Sequence, residues 1–291
     1  MHVSIFIPLF TLAALLPLPL AATQTTKPAA AAPQIQLLTR STRRSESRHF
    51  SFGGTVTLIG APRGAVTVEG WSRNIVELTA DIELKAQNEA DLDQLAKVNN
   101  FVFDEDMNHI NILTVGTHDR SYMKKVAKNF PKKLLNLPWK IDYRLRVPAN
   151  TDLEISAGHG PLKLSGVEGA LRISATESET ALTLTGGTVS ATITAGNILL
   201  SIPVRSWRGG GADIRVAAGV LNVELAPGFS GDIDADILRS GKIENTYDAL
   251  AAREKPGITG RTVRARAGAG GAFFKFTVGD GTVNIRRAGD K

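Results

Sequence analysis

Apolar and polar residues alternate with a period of two through residues 150–225. The alternation comes in two-strand units, here called rungs. Leu153-Glu154-Ile155 and Leu162-Lys163-Leu164 form the first rung, with glycine between them. The other rungs are 171–173 with 182–184, 191–193 with 200–202, 214–216 with 223–225, and a distant copy at 274–276 with 283–285. Period two is typical of strands with one buried and one solvated face.

Glycine recurs between the two strands of a rung. Counting from the apolar triplets places Gly158, Gly196, Gly219 and Gly279 at equivalent positions. Glycine at such a position permits a turn with positive φ. We therefore predict that these four glycines lie in one column.

A rung cannot bury its apolar face alone, but stacked rungs can. The pattern predicts a mainly β fold: a β-solenoid or β-roll of stacked two-strand rungs. The same alternation would also suit a meander of hairpins that forms an antiparallel β-sandwich. The in-register recurrence of like residues favours the solenoid.

Other segments surround the rungs. We expect residues 50–148 to form an N-terminal β-rich cap, because exposed solenoid ends need covers. Within it, helical periodicity over 88–100 predicts a short helix with Asn88 as its N-cap. Residues 149–287 hold the rungs, and the break in the pattern at 245–272 predicts a loop insertion.

The first residues read as an export signal. Residues 3–20 are apolar apart from Ser4 and Thr11, and three prolines argue against a transmembrane helix. We predict a signal peptide at 1–22 and a flexible linker at 23–49, rich in Ala, Pro and Thr at first and then in Arg and Ser. The chain has no cysteine, so thiol chemistry and disulfides are excluded. The expected location is the periplasm or the cell surface.

Charge changes this picture at one segment. Residues 120–146 contain nine basic residues and one acidic residue, a net +8, where the whole chain is +6. We expect contact with an anionic envelope component, such as lipid, lipopolysaccharide or a wall polymer. A solvated face is the alternative, and export makes nucleic acid an unsuitable partner. The candidate surface-binding residues are Lys124, Lys125, Lys128, Lys132, Lys133, Trp139, Lys140 and Arg144.

The sequence offers no catalytic or cofactor-binding motif. Asp232, Asp234 and Asp236 have the opening spacing of an EF-hand loop, but Ile237 and Ile243 occupy positions that need Gly and Glu. We therefore expect a solvated row of aspartates. A β-helix carbohydrate-active enzyme would need charged groups that converge on neighbouring rungs, and the outward charges are scattered.

The order of the motifs resembles a bacterial family of unknown function designated "putative adhesin". The resemblance rests on Val-Thr-Val-Glu-Gly-Trp at 66–71, Tyr-Arg-Leu-Arg-Val-Pro at 143–148, the rungs, and Gly-Asp-Gly-Thr-Val-Asn-Ile-Arg at 279–286. It covers roughly residues 50–287. The chain departs from the pattern at Glu-Ser-Glu-Thr (177–180), where a glycine turn is expected, and in its basic segment. The resemblance implies a solenoid-like exported protein and carries over no catalytic residue.

Together these features predict a non-enzymatic, envelope-associated structural or binding protein of adhesin-like type. One alternative is an envelope sensor or assembly partner that binds another protein. The other is the carbohydrate-active enzyme.

Overall fold

Strands dominate the computed structural model, which describes residues 37–50 and 53–290. The predicted mainly β class is confirmed, with seventeen strands in one continuous sheet. The strands are β1 (Leu38–His49), β2 (Thr55–Ile59), β3 (Val66–Trp71), β4 (Ile75–Ala86), β5 (Asn100–Asp106), β6 (His109–Val115), β7 (Trp139–Pro148), β8 (Asp152–His159), β9 (Leu162–Ser165), β10 (Ala170–Glu177), β11 (Thr180–Thr183), β12 (Gly186–Ile202), β13 (Arg208–Leu225), β14 (Gly231–Asn245), β15 (Leu250–Ala252), β16 (Thr262–Ala267) and β17 (Phe273–Arg287).

The helices are α1 (Glu89–Val98), α2 (Arg120–Val126) and a 3-10 helix (Lys132–Leu134). The predicted helix is confirmed as α1. Its N-cap is Asn88, whose side chain accepts a hydrogen bond from the Asp91 backbone N–H at 2.9 Å. This cap satisfies a backbone donor that the first turn would otherwise leave unpaired.

The rungs pair with one another in parallel. Ile155 lies beside Ile173 and Ile173 beside Ala191, while Leu164 lies beside Leu182 on the second strands. An antiparallel sandwich does not describe these contacts. The inward Leu, Ile, Val and Phe side chains of both strand rows are buried in one core. Burial of each large side chain stabilises the fold by about 1.5–3 kcal/mol.

The last strand does not stack in chain order. β17 inserts between β13 and β14, so that Lys275 pairs with Asp213 on one side and Asp234 on the other. Inside this rung Phe274 makes edge contacts with Trp207 and Phe229 at centroid distances of 5.2 and 5.4 Å. The alternation alone carries no information about stacking order, so this insertion was not predicted.

The glycine column exists, but two of its predicted members are wrong. Gly219 pairs with Gly281, not Gly279. A Cβ on Gly281 would lie 1.7 Å from the Gly219 carbonyl oxygen, and both residues have φ above +140°. Gly158 is likewise two residues too early, because Gly160 occupies the column position in that rung. The count failed because it began one inward residue too early in β8 and β17: Ala157 lies in the register of Ala175 and Ile193, and Val278 pairs with Val216.

The predicted flexible linker is wrong over 38–49. These residues form β1, which pairs antiparallel with β4 along its whole length. Its arginines hold it in place: Arg43 binds Asp81 at 2.6 Å, and the Arg44 guanidinium lies 4.3 Å from the centroid of the Phe101 ring. The predicted signal peptide at 1–22 and the linker over 23–36 lie outside the described residues.

The predicted cap is continuous with the rungs. β2 and β3 form a rung of their own, because Val56 pairs with Leu153 and Val66 with Leu162, both in parallel. The predicted insertion at 245–272 lies between β14 and β17, which pair with each other, but it is not loop throughout. It contains β15 and β16, and β16 pairs antiparallel with β14. The inward side chains of β16 are fully buried and cover the core beside β14; they are Val263, Ala265 and Ala267.

Candidate surface-binding site

The basic segment is built from α2 and the 3-10 helix. Asp119 caps α2 by accepting hydrogen bonds from the backbone N–H groups of Ser121 and Tyr122. Met123 and Leu134 are buried and fix the two short helices to the core. The polar sides of both helices therefore face solvent.

The predicted cations separate into two groups. Lys133 binds Asp91 at 3.1 Å, and Arg144 binds Asp81 at 3.3 Å. Lys140 binds Asp142 at 2.9 Å, and this hydrogen bond raises the pKa of Lys140. These three charges are compensated within the fold.

The other four cations are exposed. Within the part of the chain that the structure describes, they have no carboxylate within 4.0 Å. We call this set the lysine patch: Lys124, Lys125, Lys128 and Lys132.

The apolar side chains of the segment mostly point inward. Phe130, Leu137 and Trp139 pack against the core, and the Trp139 and His118 rings lie 5.3 Å apart. Val126 and Leu135 are exposed, at 56% and 37%. The sequence therefore overestimated the apolar surface that this segment presents to a partner.

The start of α2 and the residues that follow the 3-10 helix help to line an open groove of about 450 Å³. We call it the Trp139 groove. Two arginines line it: Arg63, from the turn before β3, for which the sequence offered no signal, and Arg120, which begins the basic segment but was not among the candidate residues. Its lining is Pro62, Arg63, Thr117, His118, Arg120, Leu135, Asn136, Leu137, Pro138 and Trp139.

A second open groove, of about 720 Å³, follows the glycine column. Lys140, Asp142, His159 and Glu177 line it, and His159 Nδ1 lies 3.2 Å from Glu177 Oε2. A nucleophilic triad would need a hydroxyl on this histidine. Ser178, in the same groove, is buried, and its Oγ accepts a hydrogen bond from Thr180. Among the described residues, His159 therefore has Glu177 as its side-chain partner, and the Ser178 hydroxyl has Thr180.

The aspartate row on β14 is not solvated, contrary to the prediction. Asp232 binds Arg266 at 2.7 Å, and Asp236 binds Arg264 at 2.9 Å. Asp234 binds Arg253 at 2.9 Å. We call this network the Asp/Arg ladder: Asp232, Asp234 and Asp236 with Arg253, Arg264 and Arg266. Guanidinium groups occupy the space where a cation would have to bind.

The ladder shifts the pKa values of its members in opposite directions. The hydrogen bond from Arg266 lowers the pKa of Asp232. Burial raises the pKa of Asp234, against the opposing effect of Arg264 and Arg253. Elsewhere in residues 37–50 and 53–290, no group of three or more His, Asp or Glu side chains is arranged to hold a metal ion.

None of the helices in the described residues has the length and apolar character that a membrane span requires. No family model matches the chain, and no curated protein matches its sequence. Several solved structures are distantly similar to the chain. A putative cell adhesion protein from Clostridium sporogenes has a TM-score of 0.43 at 9% identity, over 84% of this chain and 100% of that one.

Two further structures cover the same share of this chain. A putative adhesin from Bacteroides fragilis has a TM-score of 0.31 at 11% identity over 97% of its own length. A putative lipid binding protein from Parabacteroides distasonis has a TM-score of 0.32 at 11% identity over 96% of its length. Such distant likenesses assign no ligand to this chain.

Proposed function

We propose that this chain is an exported, non-enzymatic binding protein of adhesin-like type, which contacts an anionic envelope component through its basic segment. The observation that carries the proposal is the lysine patch. Its four ammonium groups lie exposed between residues 124 and 132 and are not compensated within the described chain. Lys133, Trp139, Lys140 and Arg144 would frame this contact from positions fixed by their own partners.

The stacked rungs supply the platform. We infer a β-solenoid from the parallel registers, which continue from β2 through β8, β10, β12 and β13 to β17. Each rung adds its inward residues to one core, so the helices at one end rest on a rigid support. Export through a signal peptide at 1–22 belongs to the same proposal.

The magnitude of the contact follows from its charge. Each lysine near an anionic membrane contributes about 1 kcal/mol, and salt screens that attraction over roughly 8 Å at physiological ionic strength. Four lysines together give an affinity that is useful for a surface and that declines steeply as salt rises.

The test is co-sedimentation of the chain from about Thr23, the predicted mature form, with three materials across a salt series. The materials are anionic vesicles, neutral vesicles and cell-wall sacculi. We expect salt-sensitive retention on one anionic material and none on neutral vesicles. Equal, negligible sedimentation with all three would return the lysines to a solvated face and overturn the proposal.

One observation favours a second function, as an assembly partner of another envelope protein. β1 is twelve residues long and pairs with β4 on one edge. Its other edge has no strand partner among the described residues, and such an edge can accept a strand from another chain. Hydrogen exchange would test this: a bound partner should slow the exchange of backbone amides across Leu38–His49. Unchanged exchange there would exclude strand addition at β1.

A further inference from the structure

We propose that the Trp139 groove binds the headgroup and upper acyl chain of an anionic phospholipid, which makes a lipid bilayer the partner of the lysine patch. This inference rests on the proposed function and specifies its ligand. The groove and the patch share one segment, since Arg120 begins α2, Lys124 and Lys125 lie on it, and Leu135 follows the 3-10 helix. A bilayer could therefore engage both at once.

Part of the groove lining is apolar, and it comes from Leu135, Leu137, Pro138 and Trp139. Leu137 and Trp139 are held against the core, whereas Leu135 is exposed. Val126 is exposed on the neighbouring helix. A hydrated polymer gains little from such side chains, whereas acyl chains bury them away from water, which is favourable.

Two cations also line the groove. Arg63 and Arg120 line the groove, and neither has a carboxylate within 4.0 Å in residues 37–50 and 53–290. Guanidinium groups match phosphate oxygens in a bidentate geometry, and this makes arginine a preferred phosphate ligand. The same groove is thus lined by two arginines and by apolar side chains, as an anionic amphiphile requires.

The adjoining histidine suits the same ligand. Desolvation lowers the pKa of His118, so its ring is neutral at neutral pH and can donate one hydrogen bond. Its packing against Trp139 keeps the ring at the groove. The volume, about 450 Å³, lies in the range of sites for single small ligands. It would hold one headgroup and the start of a chain.

The experiment uses phosphatidylcholine vesicles with and without phosphatidylglycerol. A third set of vesicles contains phosphatidylglycerol whose acyl chains are brominated near the glycerol. Quenching of tryptophan fluorescence reports contact with the chains. The test variants are Arg120→Ser and Leu135→Ser, both at exposed positions. Matched controls are Arg172→Ser on β10 and Leu238→Ser on β14, which are also exposed. Trp139→Phe shows whether the quenched fluorescence comes from Trp139. Of the other two tryptophans, Trp207 is buried, and Trp71 donates a hydrogen bond to the Ile75 carbonyl oxygen.

We expect quenching by brominated phosphatidylglycerol vesicles, its loss in Trp139→Phe, and about a tenfold loss of vesicle affinity in each test variant but not in the controls. Salt-sensitive binding without quenching, with both test variants unaffected, would overturn the groove as a lipid site. The lysine patch would remain the contact with the anionic surface. The lipid site would also be overturned if inorganic phosphate bound the groove as well as the phospholipid does, or if sacculi retained the protein while the vesicles caused no quenching. Absence of any vesicle binding would remove the bilayer as partner.

Discussion

The lysine patch and the Asp/Arg ladder are both dense in charge, yet they are built in opposite ways. In the ladder, Asp234 and Arg264 are 16% and 23% exposed and lie directly opposite on β14 and β16. In the patch, Lys124 and its neighbours are exposed, with no carboxylate in reach among the described residues. Charges that hold strands together have partners in the fold, and charges without partners are available to a ligand.

The difference follows from position. β14 would carry three aspartates side by side on one face, and this arrangement is unfavourable unless cations lie opposite them. β16 and Arg253 supply those cations, so the segment 246–272 is part of the fold. Removal of one ladder member should therefore affect stability, whereas removal of a patch lysine should affect binding.

The largest effect is expected where the stack that supports both regions is broken. Gly219→Ala would place a Cβ 1.9 Å from the Gly196 carbonyl oxygen, at a φ of +144°. We expect a loss of about 3 kcal/mol or more in the free energy of unfolding, measured by urea denaturation. Gly260→Ala is the control, because nothing lies within 4 Å of its Cβ position. Equal stability of the two variants would contradict the close stacking.

The next effect concerns the ladder itself. Arg264→Met keeps much of the side-chain volume but leaves Asp236 and Asp234 short of a partner. We expect a loss of about 2 kcal/mol, below the 3–5 kcal/mol of a fully buried pair, because these groups retain partial exposure. Lys128→Met in the patch should change stability by less than about 0.5 kcal/mol. The comparison fails if the two variants unfold at the same urea concentration.

The pH dependence sharpens the comparison further. Arg266 lowers the folded-state pKa of Asp232, so this carboxylate contributes stability that is present above its unfolded pKa, near 3.9, and lost as pH falls through the folded value. Arg266→Met should lower stability at neutral pH and leave it unchanged in strong acid. Burial raises the pKa of Asp234, so the ionisation of this carboxyl lowers the stability of the fold as pH rises, opposite to the effect of Asp232. A uniform loss at all pH values would refute the linkage.

The smallest effect on stability is expected in the patch. Replacement of all four patch lysines by serine should leave the urea midpoint unchanged or slightly higher, because it removes positive charges that repel one another. Circular dichroism would confirm the same fold. A clear loss of stability would show that the lysines have structural partners, and the distinction between patch and ladder would be lost.

Much of the fold could be predicted from the sequence, because a strand face leaves a period-two record in residues such as Leu153 and Ile155. The helix signal at Asn88 was equally local. Stacking order was not predictable, since Phe274 and Ile214 read alike wherever their strands insert. Register failed by two residues because some strands carry three inward residues in a row, such as Phe274, Phe276 and Val278, and the alternation does not show which of them match another strand's pair.

The candidate site was predicted only as a charge density. Sequence shows that Lys133 and Lys128 are both basic, but not that Asp91 from α1 reaches one of them. It also gave no signal for Arg63, which the fold brings to the Trp139 groove from a turn remote in sequence. Arg264 and Arg266 could have been matched with the aspartates of β14, since both sets alternate with period two.

The most direct test of the central claim compares two variants of equal charge on anionic vesicles at low and high salt. One carries serine at the patch lysines. The other carries serine at cations dispersed along the rungs and likewise without ion pairs among the described residues: Lys163, Arg172, Arg205 and Lys275. We predict that the first loses vesicle binding and its salt dependence, while the second keeps both. Equal weakening of the two would mean that net charge, and not the patch, attracts the surface.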